Sequence, residues 1–136
     1  MQIRESLDQI LVERKLLTER FYNEKLFKVH PEFIPYFSGA NMNVQPLMLM
    51  MALQGVVRFL GGSYPAVEQY LRYLGTRHRK VGIPQELYPK FCDVLVETVG
   101  EFHGDAWDAE LAREWRAALA GTMKIMLEGY QQDFYA

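Results

Sequence analysis

Three observations predict an all-α fold. Apolar residues recur at a period near 3.6 along almost the whole chain, no segment shows the strict alternation of a half-buried strand, and Gly and Pro fall between the periodic stretches. With short connections and no heptad register, the pattern predicts six to seven helices in crossed packing rather than a parallel bundle. No internal repeat or low-complexity segment interrupts it. At 136 residues and 15.9 kDa, the chain is expected to form one domain, 1–136, large enough to bury a core.

From Ser6 to Phe27 the apolar positions Leu7, Ile10, Leu11, Leu17, Phe21, Leu26 and Phe27 make one stripe, with a bend near Lys15. Pro31 then starts a short helix ending near Phe37, and Ser38 to Asn43 is turn-rich. Pro46 to Leu60 reads as a helix with a broad apolar face, stopped by Gly61 and Gly62. Ser63 and Pro65 open the next helix and Gly82 closes it; Pro84 starts another, on which Leu87, Phe91, Leu95 and Val99 share a face. After a break and cap at Gly104-Asp105, a long last helix is expected from Ala106 to Phe134, with Trp107, Leu111, Trp115, Leu119, Thr122 and Met126 inward.

The formal net charge of -2 and pI near 5.9, with basic residues scattered among acids, argue against a nucleic-acid partner. Cys92 is the single cysteine, so no intramolecular disulfide forms and a reducing compartment is expected; Cys92 itself reads as a small buried hydrophobe. The start, Met1-Gln2-Ile3-Arg4-Glu5, lacks a signal-peptide core, and the longest apolar stretch, Pro46 to Leu53, is too short to span a bilayer. A soluble, cytoplasmic protein without membrane contact is the expectation.

His78 stands near the end of an apolar helix, in Leu74-Gly75-Thr76-Arg77-His78-Arg79-Lys80, ten residues before Tyr88-Pro89. A lone helical histidine is ordinarily a surface or hydrogen-bonded core group, so its neighbours decide the reading. His30, before Pro31, reads as a helix-start residue, and His103, beside Gly104, as exposed; neither has a metal-spaced partner. The seven Met residues read as adaptable core filler, and Met50 and Met51 cannot both face one pocket.

Arg20-Phe21-Tyr22, Leu26 to Glu32, Pro35-Tyr36-Phe37, Gln45-Pro46, Arg77-His78, Gly82-Ile83, Tyr88-Pro89 and Trp115, in this order and at these separations, resemble the globin family. The similarity is greatest to bacterial single-domain haemoglobins and the globin half of flavohaemoglobins, and it covers nearly the whole chain. It implies a globin fold around a haem b pocket, with His78 as the proximal ligand. One imidazole nitrogen would hold the iron while the other N–H donates to the Leu74 carbonyl, four residues back. Phe37 would stack on the porphyrin, with Ile83, Tyr88 and Phe91 completing the contacts, and a cation of the run Arg77 to Lys80 would reach a propionate.

On the distal side the resemblance implies that Gln45 donates its amide to a bound diatomic ligand, while Leu49, one turn on, limits space and water. Tyr22 is the second distal candidate. The stretch from Tyr22 to Phe37 is one residue longer than the family's, so ungapped counting puts Asn23 in that place, and a one-residue adjustment before Leu26 restores Tyr22, the preferred reading. Flavohaemoglobin-type globins support the proximal histidine with a Tyr and a Glu. Tyr88 matches the first, but counting from Trp115 puts Gln131 where the Glu is expected, with Glu128 about one turn away. A neutral amide there implies a moderately basic imidazole and a ligand carrier rather than a peroxidase.

The function so implied is reversible binding of O2, and of NO or CO, for oxygen storage or delivery. NO detoxification by dioxygenation is the enzymatic form, and since no Gly-rich nucleotide-binding segment is visible it would need a separate flavin reductase. The alternatives are a haem-based gas sensor or redox-signalling globin acting through a partner, and a haem-free adaptor. A sensor should display an output surface, and an adaptor would not ordinarily keep His78, Phe37 and Gln45 together. A monomer or weak homodimer is expected.

Overall fold

The computed structural model describes residues 1–39, 41–59 and 65–131. Every regular element among them is helical: α1 (Ile3–Val12), α2 (Arg14–Glu19), a π-helical segment (Arg20–Leu26), α3 (Phe27–Val29), a 3-10 turn (Pro31–Phe33), α4 (Ile34–Phe37), α5 (Gln45–Phe59), α6 (Pro65–Lys80), α7 (Leu87–His103), a 3-10 turn (Gly104–Ala106) and α8 (Ala109–Glu128). The expected stop at Gly61-Gly62 and start at Ser63 lie outside the described residues. So does the stretch from Gln132 to Phe134 into which the last helix was expected to run.

The first stripe is not one bent helix. It breaks at Glu13, whose φ of -106° and ψ of 31° are non-helical, two residues before the expected bend. It then widens into the π turns of Arg20–Leu26, where each turn takes one residue more than an α-helix. Helix α6 begins with Pro65 at its first position, where the missing N–H costs nothing. Gly82, at φ 87°, ends its C-terminal turn in a conformation that side chains disfavour. Gly104, at φ 57°, closes α7 in the same way. The cap of α8 is Asp108, not Gly104-Asp105: its Oδ1 accepts from the Leu111 N–H at 2.8 Å.

Trp115, Phe21, Ile10, Leu17, Leu26, Leu95, Leu111 and Val99 form the sealed centre of the core, contributed by the first stripe, α7 and α8. Met50 points inward and Met51 outward, as one helix face requires. Helix α5 rests on α1, α2 and α8, while α6 packs against α8. Among the described residues α5 and α6 are not themselves a closely packed pair.

The crossing of α6 and α8 depends on two glycines. A Cβ on Gly75 would overlap the Met126 carbonyl, and one on Gly129 would overlap the Arg72 carbonyl. Across this close approach the Thr76 hydroxyl donates to the Gly129 carbonyl at 2.7 Å, Arg72 Nε pairs with Glu128 Oε2 at 2.8 Å, and Arg79 Nη1 donates to the Tyr130 carbonyl at 3.0 Å. The end of α6 is thereby fixed to the turn that follows α8.

No described helix is long and apolar enough to cross a membrane. His103, expected to be exposed, is half-buried: its Nε2 lies 2.6 Å from Ser6 Oγ, which also accepts from Trp115 Nε1 at 2.9 Å. Folding of α1 back onto α7 and α8 accounts for the difference, because it brings Ser6 to the end of α7. Cys92 is half-buried beside Met123, 3.1 Å between sulfurs, and burial pushes its thiol up to about 12.

Candidate functional site

The last turn of α6 presents His78, half-buried, with Nδ1 2.7 Å from Tyr88 Oη. This partner differs from the Leu74 carbonyl suggested by helical spacing; Leu74 itself is half-buried. The phenol reaches the ring because Gly82 turns the chain sharply between α6 and α7, a turn held by the Ile83 N–H donating to the His78 carbonyl at 3.0 Å. Burial, and then the like charge of Arg77, push the imidazolium of His78 below the usual histidine range. The other ring nitrogen, Nε2, has no hydrogen-bond partner among the described residues.

Tyr88 is buried, and its ring meets Tyr130 edge-on at 5.7 Å between centroids. Burial raises its hydroxyl far above the phenol range. Tyr130 Oη donates in turn to the Ile83 carbonyl at 2.7 Å. Gln131, expected in this position, is exposed, and Glu128 is engaged by Arg72 on the other side of the turn. A phenol therefore stands where the sequence count suggested an amide, because α8 ends at Glu128 and the turn after it carries Tyr130 back toward α7.

Tyr22 is 3% exposed, whereas Asn23 is exposed. The π turns supply the one-residue adjustment that the long Tyr22-to-Phe37 interval calls for. Burial raises the Tyr22 hydroxyl far above the phenol range, and no described group hydrogen-bonds it. Its ring packs edge-on against Phe37 at 5.3 Å and against Phe21 at 4.8 Å, and Phe21 meets Phe91 at 4.9 Å. Tyr22, Phe37 and Phe91 thus share one aromatic cluster. Gln45 begins α5, half-buried and with no side-chain partner among the described residues, and Leu49, one turn on, is buried. Ile83 is half-buried against the core.

Tyr130, Thr76, Gly75 and Gly129 were not singled out from the sequence. Glycines inside helices signal close approach as well as breaks, and the pair Gly75-Thr76 three and two residues ahead of His78 was the available clue. No group of three or more His, Cys, Asp or Glu among the described residues is arranged to hold a bare metal ion.

The globin family model matches residues 20–126. The chain belongs to the globin family. It is 27% identical over 124 residues to the flavohemoprotein of Bacillus subtilis (strain 168), a match covering 88% of this chain and 30% of that protein, so the chain spans about a third of its relative's length. Its fold superimposes with a TM-score of 0.77 on a Pseudomonas aeruginosa PAO1 protein described as structurally highly homologous to a human hemoglobin, at 23% identity, covering 95% of this chain and 98% of the other.

Membership implies haem binding and, through it, gas binding. The side chains fit a haem on two counts. An imidazole held by one nitrogen leaves the other without a partner among the described residues, and the phenol set in the aromatic cluster has no hydrogen-bond partner there either.

Proposed function

We propose that this globin binds O2 reversibly, and NO or CO in the same place, at a haem b held by Nε2 of His78. The observation that carries the reading is the asymmetry of the His78 ring, with Nδ1 engaged by Tyr88 and Nε2 unpartnered. The haem supplies an iron that exchanges electron density with the gas. The protein supplies the imidazole, apolar walls from Phe37, Leu49, Ile83 and Phe91, and two donors, Tyr22 Oη and the Gln45 amide, for a ligand that acquires negative charge. Burial of Leu49 and Tyr22 excludes the water that would compete for those donors.

NO dioxygenation belongs to the same reading: O2, NO and one electron give nitrate. The electron must come from a flavin reductase, an arrangement suggested by the flavohemoprotein relative. A cytoplasmic site of action agrees with the single cysteine.

Visible spectra of the purified protein in its ferric, ferrous and ferrous-CO forms test the reading, together with His78→Ala. Haem spectra with a ferrous Fe–His band that disappears in His78→Ala are expected. A haem-free protein, or a Fe–His band that survives the substitution, overturns it.

A further inference from the structure

We propose that Ser6, His103 and Trp115 form an acid-sensitive latch, which holds α1 onto α7 and α8 while the His103 imidazole is neutral and releases it when that ring takes up a proton. None of the three belongs to the site around His78 or to the aromatic cluster of Tyr22.

The protonation state of the closed latch follows from its two contacts. Trp115 Nε1 only donates, so at 2.9 Å from Ser6 Oγ it occupies one lone pair of the hydroxyl. Thr18, Thr98 and Thr122 donate to the carbonyl four residues back; Ser6 makes no such bond. It is fully buried, and its own proton has one acceptor among the described residues, His103 Nε2 at 2.6 Å. Every group is satisfied only when Ser6 donates to Nε2 and the ring hydrogen of His103 sits on Nδ1. An imidazolium donates from both nitrogens. Nε2–H and Trp115 Nε1–H would then both point at the Ser6 oxygen, and the Ser6 proton would be stranded in a sealed core.

The surroundings offer a cation little compensation. On α1 the charged residues Arg4, Glu5 and Asp8 are exposed; at the end of α7, Asp105 is exposed and Glu101 is bound by Lys25 at 2.6 Å. On α8, Glu110 pairs with Arg113, and Glu114 accepts the Ile3 N–H at 3.0 Å, a second tie of α1 to α8. Trp107 lies parallel to the His103 ring at 6.1 Å between centroids, the outer limit of a cation–π contact, and Phe102 meets it edge-on at 5.1 Å. The dipole of α7 favours positive charge at its last residue, but it is weakened by solvent, whereas a stranded hydroxyl carries its full desolvation cost. Burial pushes the imidazolium of His103 below the usual histidine range, and no charged group contributes.

A proton is therefore taken up more readily once α1 has left. The latch is at full strength above the ordinary histidine value and is lost as pH falls through that value toward the lower one of the docked state. Helix α5 rests on α1, so release also removes packing from the helix that carries Gln45 and Leu49.

The test is urea unfolding of the full chain, as purified, between about pH 5 and about pH 7.5, in the native form and as His103→Gln, whose amide oxygen accepts from Ser6 but does not titrate. Across this window the folded-to-unfolded ratio of the native chain should fall several-fold further than that of His103→Gln, the comparison removing what the other titrating groups contribute. Equal pH profiles overturn the proposal. Should the variant fail to fold, NMR of the native chain decides. Hydrogen on Nδ1 of His103 at neutral pH, with protection of the Leu7 and Ile10 amides from exchange falling as the ring titrates, supports the latch. Hydrogen on Nε2, or α1 amides protected equally on both sides of that titration, overturns it.

Discussion

On the side that carries His78, the imidazole Nδ1, Tyr88, Tyr130, Thr76, Arg72 and Arg79 all have partners within the protein; on the side that carries Tyr22 and Gln45, neither polar side chain has one among the described residues. The first region is tied to backbone carbonyls and to a helix crossing that admits only glycine. The second is an aromatic cluster with a phenol in it and the first residue of α5 beside it. A fully partnered network is rigid and expensive to disturb, whereas a polar side chain without a protein partner is available to bond a polar ligand. Substitutions on the two sides should therefore fail in different ways, one in stability and one in ligand release.

The largest expected effect is on ligand release. The double change Tyr22→Phe with Gln45→Leu removes two donors, each worth about 1.5–3 kcal/mol to a ligand bearing partial charge, so O2 should leave roughly 100-fold faster or more. CO, which carries less charge on its outer atom, should leave at nearly the native rate in a flash-photolysis experiment. Folding stability should change little, because neither side chain makes a hydrogen bond to the described protein. Equal acceleration of both gases would show that the two side chains act by bulk alone.

Next in size is the helix crossing. Gly129→Ala forces a methyl into the Arg72 carbonyl, a backbone group that cannot turn aside, and should cost about 2–3 kcal/mol in urea unfolding. Thr76→Val removes the hydroxyl that satisfies the Gly129 carbonyl and should cost about 1–2 kcal/mol, with O2 release unchanged. If Thr76→Val speeds O2 release as much as the distal pair does, the two regions are coupled and the contrast between them fails.

Much of this was readable beforehand, and the remainder has identifiable physical causes. The apolar period of 3.6 located the helices, and the interval between His78 and Tyr88 marked the histidine. The span from Tyr22 to Phe37 carried the extra residue as a number, but a count does not say where a helix widens. The turn after α8 was beyond reach for a related reason. Counting along an assumed continuous helix puts Gln131 toward Tyr88, whereas the real helix stops at Glu128 and the following turn rotates Tyr130 into that place. Gly75 and Gly129 read as weak points in a helix when each is considered alone. Only the pairing of α6 with α8 makes them a requirement of packing.

The smallest expected effect is the most informative about the extra residue. Ungapped counting assigns the distal position to Asn23, and a purely α-helical path from Arg20 to Leu26 would turn that side chain inward and Tyr22 partly away. The π turns instead leave Tyr22 3% exposed and Asn23 in solvent. Asn23→Ala should accordingly leave both the O2 dissociation rate and the unfolding free energy at native values, since an exposed amide without a partner contributes to neither. Tyr22→Phe alone, in the same measurement, should raise the dissociation rate about tenfold or more, the loss of one charge-assisted bond. The opposite pattern, with Asn23→Ala accelerating release and Tyr22→Phe silent, would mean that the distal donor is the amide and that the π turns of Arg20–Leu26 do not set which side chain reaches the ligand.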